Sequence, residues 1–245
     1  MRFKVKLLGK KQEAKGTMTF FFERPKGFSY LAGQYIYITL PKLLFPDPRG
    51  DTRHFTLSSS PTEDKFAITT RMREESGFKK TLDEMKDGEE VSISGPNGTF
   101  VLDNEKTETP QVMIAGGIGV TPYRSIIKYV SDKNLQVPIY LVYSNSIPEE
   151  IAFKEELDTL ATKHPNIKVT YTITKPQPEA DVKWSGLVGR IDETFLRKLE
   201  TGNWKLATAS FWVCGPPAMA SALDAVLETL KVPYEHINSE KFTGY

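Results

Sequence analysis

The hydrophobic period of this 245-residue chain changes once, near residue 104, and that change constrains the fold more than any other feature. Upstream, apolar residues fall in short or alternating runs: Thr17–Phe22, Gln34–Leu40, Arg53–Ser58, Phe66–Met72 and Glu90–Ile93. Val, Ile, Tyr, Phe and Thr dominate them, and Pro-Lys-Gly, Ala-Gly and Pro-Asn-Gly break them up, which predicts an antiparallel barrel or sandwich. One short helix is predicted at Phe78–Met85, where Phe78, Leu82 and Met85 have helical spacing. Downstream, Gln111–Ala115 is a continuous apolar run of the kind that forms a buried parallel strand. Ile139–Tyr143, Lys168–Ile173 and Phe211–Val213 read as further strands, with helices at Pro122–Val130, Glu149–Lys163 and Ala218–Leu230. Such alternation implies a parallel sheet with helices on both faces. The expected fold class is therefore α/β plus all-β, with a β-barrel over residues 1–104 and an α/β domain over 105–245.

Charge excludes several functions. Lys and Arg number 32 against 31 Asp and Glu, a net charge of +1, so the chain is not a strongly basic nucleic-acid binder. A single cysteine allows no intramolecular disulfide and no cysteine-ligated iron–sulfur cluster, and suits a reducing compartment. His54, His164 and His236 show no ligand spacing, so no metal site is expected. The opening MRFKVKLLGKKQ lacks the apolar stretch of a secretory leader, and no run approaches the roughly 18 apolar residues of a membrane span. The expectation is a cytoplasmic protein.

Three motifs carry chemistry. Gly116-Gly117-Ile118-Gly119-Val120-Thr121-Pro122 follows a buried strand and precedes a helix, where glycines let the backbone approach a phosphate and the helix N-terminus offers free N–H groups. Thr121 is the expected helix cap, with Pro122 in the first turn. Cys214-Gly215-Pro216-Pro217 occupies the equivalent place after the last strand, so both turns face one crevice at the carboxyl edge of the sheet. In the barrel half, Arg53-His54-Phe55-Thr56 sets an arginine, an aromatic ring and a hydroxyl along one strand, groups suited to a phosphate, a flat ring and a polar ring edge.

Taken in order, the barrel, R-x-[YF]-[ST], G-G-x-G-x-T-P and C-G-P-P resemble the ferredoxin–NADP reductase-like flavoprotein superfamily over nearly the whole chain. The resemblance implies an NAD(P)H-dependent flavoprotein oxidoreductase that holds FAD, in preference to FMN, in the barrel and binds NADH or NADPH in the α/β domain. Arg53 would contact the flavin phosphate, with His54 beside it, Phe55 against the isoalloxazine and Thr56 near N5. Phe55 and Thr56 stand where the family more often has Tyr and Ser. Thr69 and Arg71 would contact the ring and ribityl chain. Gly77, Phe78, Lys79, Lys80 and Thr81 resemble the pyrophosphate segment, with the N–H groups of Phe78, Lys79 and Lys80 facing it. Gly117, Gly119, Thr121, Pro122, Gly215 and Pro216 would cradle the nicotinamide nucleotide, and Cys214 would lie beside its ring. The catalytic set is then Thr56, Cys214 and Glu240. Glu240-Lys241-Phe242 is similar to the Glu-x-Tyr ending of plant-type members, which makes Phe242, with Tyr245 as its rival, the ring cover.

Nucleotide preference stays open on sequence. The second and third strands of the nucleotide domain end in Tyr143-Ser144-Asn145-Ser146 and Thr172-Ile173-Thr174-Lys175, with neither an acid for a free 2′-hydroxyl nor an arginine for a 2′-phosphate. The onward acceptor is expected to be a separate ferredoxin, flavodoxin or other redox partner, or a small molecule. Lys79, Lys80 and Arg24 are candidates for a docking face toward an acidic ferredoxin. An electron-transfer subunit without independent turnover is the alternative.

Overall fold

The computed structural model describes residues 2–102, 107–176, 184–199 and 205–242. The expected boundary near residue 104 lies outside them. The first half contains β1 (Arg2–Ala14), β2 (Thr17–Phe22), β3 (Tyr35–Thr39), β4 (Thr52–Thr56), β5 (Phe66–Arg71), α1 (Gly77–Glu84) and β6 (Glu90–Asn97). Its strands form one antiparallel sheet in the order β4-β3-β6-β1-β2-β5. The sheet curls until Leu57, just beyond β4, bridges Ile68 on β5, and this closes the barrel. Strand alternation fills the interior. Ile36 and Ile38 point inward from β3 while Tyr37 faces out, and Val5 and Leu7 point inward from β1 while Lys4 and Lys6 are exposed. The sequence reading assigned no element to β1, although Phe3-Lys4-Val5-Lys6-Leu7 alternates with period two.

The second half contains β7 (Gln111–Gly116), α2 (Thr121–Asp132), β8 (Ile139–Asn145), α3 (Lys154–Lys163), β9 (Ile167–Ile173), β10 (Leu187–Val188), α4 (Glu193–Leu199), β11 (Ser210–Gly215), α5 (Pro217–Thr229) and β12 (Ile237–Lys241). The sheet order is β10-β9-β8-β7-β11-β12, and every pairing is parallel. Central β7 is buried on both faces, which is why it reads as a continuous apolar run. Val112 and Ile114 pack with Leu223 and Leu227 of α5, whereas Met113 and Ala115 pack with Ile126 and Ile127 of α2.

One expectation is corrected. The helix expected over Glu149–Lys163 is a 3₁₀ turn at Pro148–Glu150 and then α3, because Phe153 takes a left-handed conformation (φ 59°) that no α-helix continues through. The C-terminal segment contains an element that the sequence pattern does not announce. Ile237–Lys241 forms the edge strand β12, parallel to β11, although its sequence has no strand-like alternation. Among the described residues no helix is long and apolar enough to cross a membrane.

The halves meet along a seam of mixed character. Phe100 from the barrel side stands edge-on to Trp212 at 5.1 Å and tilts against Tyr123 at 5.8 Å. Arg124 on α2 donates to Glu156 through Nε (2.9 Å) and Nη2 (2.5 Å), to both carboxylate oxygens of Glu63, and to Ser58 O (3.1 Å). Next to it, Ser125 Oγ donates to Ser59 O at 2.6 Å. Burial alone would lower the Arg124 pKa, but hydrogen bonds from its guanidinium to Glu63 and Glu156, and their charges, raise it instead. Both glutamates keep about a third of their side chains in water, so the pair is worth less than a fully buried one. Arg124→Met is expected to cost about 2 kcal/mol in urea unfolding, with the halves separating before the barrel melts.

Candidate functional site

The strand order turns back on itself between β7 and β11, the place in an open α/β sheet where a crevice opens. Both glycine motifs end there. A Cβ on Gly215 would lie 3.1 Å from Gly116 Cα, and a Cβ on Gly119 would lie 2.3 Å from Cys214 O. Gly119 is thus needed for the 3₁₀ turn Gly117–Val120 to seat against the end of β11. Gly117 is different. It has open space around it and a φ of 53°, so only its conformation requires glycine. Thr121 is not the cap of α2 as expected. The cap position is Val120, and the Thr121 hydroxyl donates to Ile118 O at 3.1 Å.

A cleft of about 430 Å³ opens at this edge, bounded by Gly117, Ser144, Asn145, Ser146, Thr174 and Pro216. Arg71 and Arg190 also line it. Arg190 follows β10, an element the sequence reading missed, so an arginine does reach this cleft where the strand ends alone offered none. The Asn145 amide lies near enough to the Tyr143 hydroxyl to favour its phenolate, yet neither Asn145 atom makes a hydrogen bond of normal geometry, and the side chain is buried. A buried amide without partners is costly unless a ligand completes it. Pro122 and Gly215, expected to cradle the nucleotide, are buried and are not among the residues that line either cleft. Cys214 is fully buried, and burial pushes its thiol well up, so it is packing material with no reachable thiolate.

A second cleft, of about 340 Å³, lies against the barrel. It brings together His54, Thr56, Thr69, Thr121, Glu240 and Phe242 from β4, β5, α2 and the C-terminal segment. Thr69 Oγ1 bonds the hydroxyls of Thr19 (2.8 Å) and Ser58 (2.9 Å). Glu240 is in register with Cys214, and burial raises its carboxyl pKa. The Phe242 N–H donates to Gly215 O at 2.9 Å, and its ring leans on the cluster that holds Cys214. Tyr245 lies outside the described residues. Phe55 also lines this cleft but is 9% exposed and packed on Phe78 at 5.8 Å, so it backs the cleft from the barrel core.

The expected phosphate segment departs from the sequence reading. The three N–H groups of α1 all have partners within the chain: Phe78 N donates to Asp47 Oδ2 (2.9 Å), Lys79 N to Ser76 Oγ (3.3 Å) and Lys80 N to Ser76 O (3.1 Å). Gly77 and Thr81 serve the same packing, since Thr81 Oγ1 accepts from Leu44 and Phe45 N–H. Arg53 donates through Nη2 to Asp47 Oδ1 at 2.5 Å and through Nη1 to the carbonyls of Arg49, Gly50 and Thr52. Burial alone would raise the Asp47 carboxyl, but the Phe78 and Arg49 N–H groups and the Arg53 charge hold it below the usual range. Arg71 is split from Thr69. It lines the nucleotide cleft, paired with Glu150. The docking face expected from Lys79, Lys80 and Arg24 is not formed. Lys79 is 5% exposed, Lys80 sits over the Phe45 ring, and Arg24 donates to the carbonyls of Phe28, Pro61 and Glu63.

The residues present fit a flavin nucleotide. The barrel cleft supplies hydroxyls and a carboxyl for a polar ring edge, an aromatic ring, and basic side chains that include Arg73, whose buried Nε has no partner. Residues 4–102 match the family model for the oxidoreductase FAD-binding domain, and residues 113–225 match that for the oxidoreductase NAD-binding domain. The chain belongs to the ferredoxin–NADP reductase-like flavoprotein superfamily. It is 28% identical over 250 residues to a flavohemoprotein of Bacillus subtilis, matching 98% of this chain and 59% of that protein. To NADH-cytochrome b5 reductase 1 of Neosartorya fischeri it is 30% identical over 206 residues, 79% of this chain and 63% of that one. The chain thus spans somewhat over half the length of these curated relatives. A ferredoxin NADP⁺ reductase from Neisseria gonorrhoeae with bound FAD and NADP shares the fold, with a TM-score of 0.81 at 20% identity and 98% coverage of both chains.

Gly119→Ala is expected to destabilise severely, because a backbone carbonyl cannot give way, whereas Gly117→Ala should cost only about 1 kcal/mol of left-handed strain; thermal melts of the two variants check the contrast. Asp47, held ionised, adds stability that is present above the ordinary aspartate pKa of about 3.9 and lost as pH falls through its lower folded value. Asp47→Asn should therefore be less stable than wild type at pH 7, with the gap closing toward pH 3 in parallel acid melts.

Proposed function

We propose that this chain is an FAD-dependent NAD(P)H oxidoreductase, with residues 1–104 binding FAD, 105–245 binding NADH or NADPH, and the C-terminal segment over the flavin. One observation carries the reading: the two clefts share a wall. Thr69 and Arg71, two residues apart on β5, line one cleft each, and Gly117 and Thr121, on one turn, do the same. Residues two apart on a strand are separated by roughly 7 Å, so ligands in the two clefts meet through a thin partition.

A flavin held in the barrel cleft would supply the hydride-accepting and onward electron-transfer chemistry. The protein supplies position. Thr56 and Glu240 orient the ring edge, and burial raises the Glu240 carboxyl pKa. Thr121 marks where the nucleotide enters the flavin cleft, and buried Cys214 is the floor beneath it. Phe242 covers the cleft and yields when the nicotinamide stacks. A separate protein is the acceptor we favour, since relatives are named for haem proteins; ferredoxin, flavodoxin and small molecules are the other arms. The name of one relative, a glycine betaine monooxygenase reductase subunit of Chromohalobacter salexigens that is 26% identical over 229 residues, supports a second reading, an electron-transfer subunit without independent turnover.

The test is a visible spectrum of purified protein followed by anaerobic NADH and then NADPH. A flavin band that bleaches with one nucleotide is expected. A band that neither bleaches leaves only the subunit reading, and protein that takes up no flavin overturns both. Phe242→Ala should change nucleotide KM or preference several-fold with little change in Tm. Unchanged kinetics with both nucleotides would remove Phe242 as the cover.

A further inference from the structure

The flavin phosphate is the one part of the proposed ligand for which the motif residues are already occupied. Arg53 and the first turn of α1 converge on Asp47, whose side chain is 4% exposed. The loop carrying Asp47 is a fixed part of the fold. A Cβ on Gly77 would lie 2.2 Å from Pro46 O and 2.5 Å from Phe45 O, so no space for a phosphate separates loop and helix. Thr81 pins the same loop through the Leu44 and Phe45 N–H groups. Asp47 is thus an internal anion seated where family resemblance puts an external one.

Three further cations line the same cleft: Arg49, Arg73 and Lys79. The Arg73 Nε is buried without a hydrogen-bond partner, and among the described residues neither Arg49 nor Arg73 is in an ion pair. Lys79 is almost fully buried, its ammonium 2.8 Å from Arg71 O. With Arg53 and Asp47 cancelling each other, these three cations face only Glu75 and Glu240 among the lining acids. A buried cation and an unsatisfied guanidinium nitrogen in one cleft are suited to an anion that arrives from outside.

We propose that Arg73 and Lys79, with Arg49 at the mouth, hold the flavin pyrophosphate, and that Arg53 is a positioning residue that fixes the Asp47 loop. This rests on the flavin reading above and adds which side chains meet the phosphates. A consequence concerns pH. Burial first, and then the charges of Arg73, Arg49 and Arg53, lower the Lys79 pKa to about 8 against a small opposing effect of Glu75. Above that pH the free protein must take up a proton to present a cation, so FAD affinity falls as pH rises through 8.

The experiment titrates flavin-stripped protein with FAD and with riboflavin, which has no phosphate, and follows quenching of flavin fluorescence. Lys79→Met and Arg73→Met should each weaken FAD about tenfold, the scale of one charge-assisted hydrogen bond, and leave riboflavin unchanged. The loss of FAD affinity above pH 8 should vanish in Lys79→Met. The paired change Asp47→Asn with Arg53→Gln should keep the wild-type preference for FAD over riboflavin; if that variant does not fold, the Lys79 and Arg73 variants decide alone. Wild-type FAD affinity in both single variants overturns the proposal. So does a folded paired variant that binds riboflavin normally but has lost its preference for FAD. Wild-type protein that binds riboflavin as tightly as FAD overturns the proposal and leaves the flavin reading intact. Protein that binds neither overturns the flavin reading itself.

Discussion

Arg124 uses its guanidinium nitrogens on oxygens from both sides of the seam: Glu63 and Ser58 from the barrel half, Glu156 from the α/β half. Everything proposed for this protein depends on that registration. A barrel and a parallel sheet are each stable through their own cores, and neither core dictates how the other is turned. Two clefts become one functional site only when their shared wall is held to a fraction of an ångström. Apolar contact between Phe100 and Trp212 supplies adhesion without direction. The planar fork of an arginine, bonded to two carboxylates and a carbonyl, supplies direction.

The same logic separates the two glycine turns from the arginine motif. At the carboxyl edge of the sheet, glycines are required because backbone meets backbone: Gly119 on Cys214, Gly215 on Gly116. Their absence of side chains is structural first, and it leaves Gly117 alone facing open space in the nucleotide cleft. In the barrel, Arg53 and the start of α1 are satisfied by a residue of the chain itself. A motif can therefore keep its residue types while the partner of those residues changes from ligand to loop.

Much of the fold was legible in the sequence. The switch from alternating runs to buried runs separated the halves, and the glycine turns located the crevice, because hydrophobic period and turn chemistry are local. The gaps have separate causes. The start of β1 does alternate, with Lys4 and Lys6 outside and Val5 and Leu7 inside, but no element was assigned to it. Ile237–Lys241 became a strand only because β11 offered an unpaired edge. Phe153 ended a helical pattern through its backbone conformation. Of the candidate site, Thr56, Thr69, Glu240 and Phe242 line one cleft from three separate stretches of chain. Arg190 and Arg73 line the clefts without belonging to any motif, and nothing in their immediate sequence distinguishes them, whereas Asn145 lies in a strand end already marked as facing the nucleotide.

Sequence by itself determined the two architectures, their order, and the glycines at the crevice, since each follows from residue type and spacing along the chain. Only the tertiary structure decided which charges are free to meet a ligand. Arg53 lies six residues beyond Asp47 and 25 before Phe78, and only folding sets the three against one another. Charge pairing is a matter of distance through space, and a one-dimensional pattern carries no record of it.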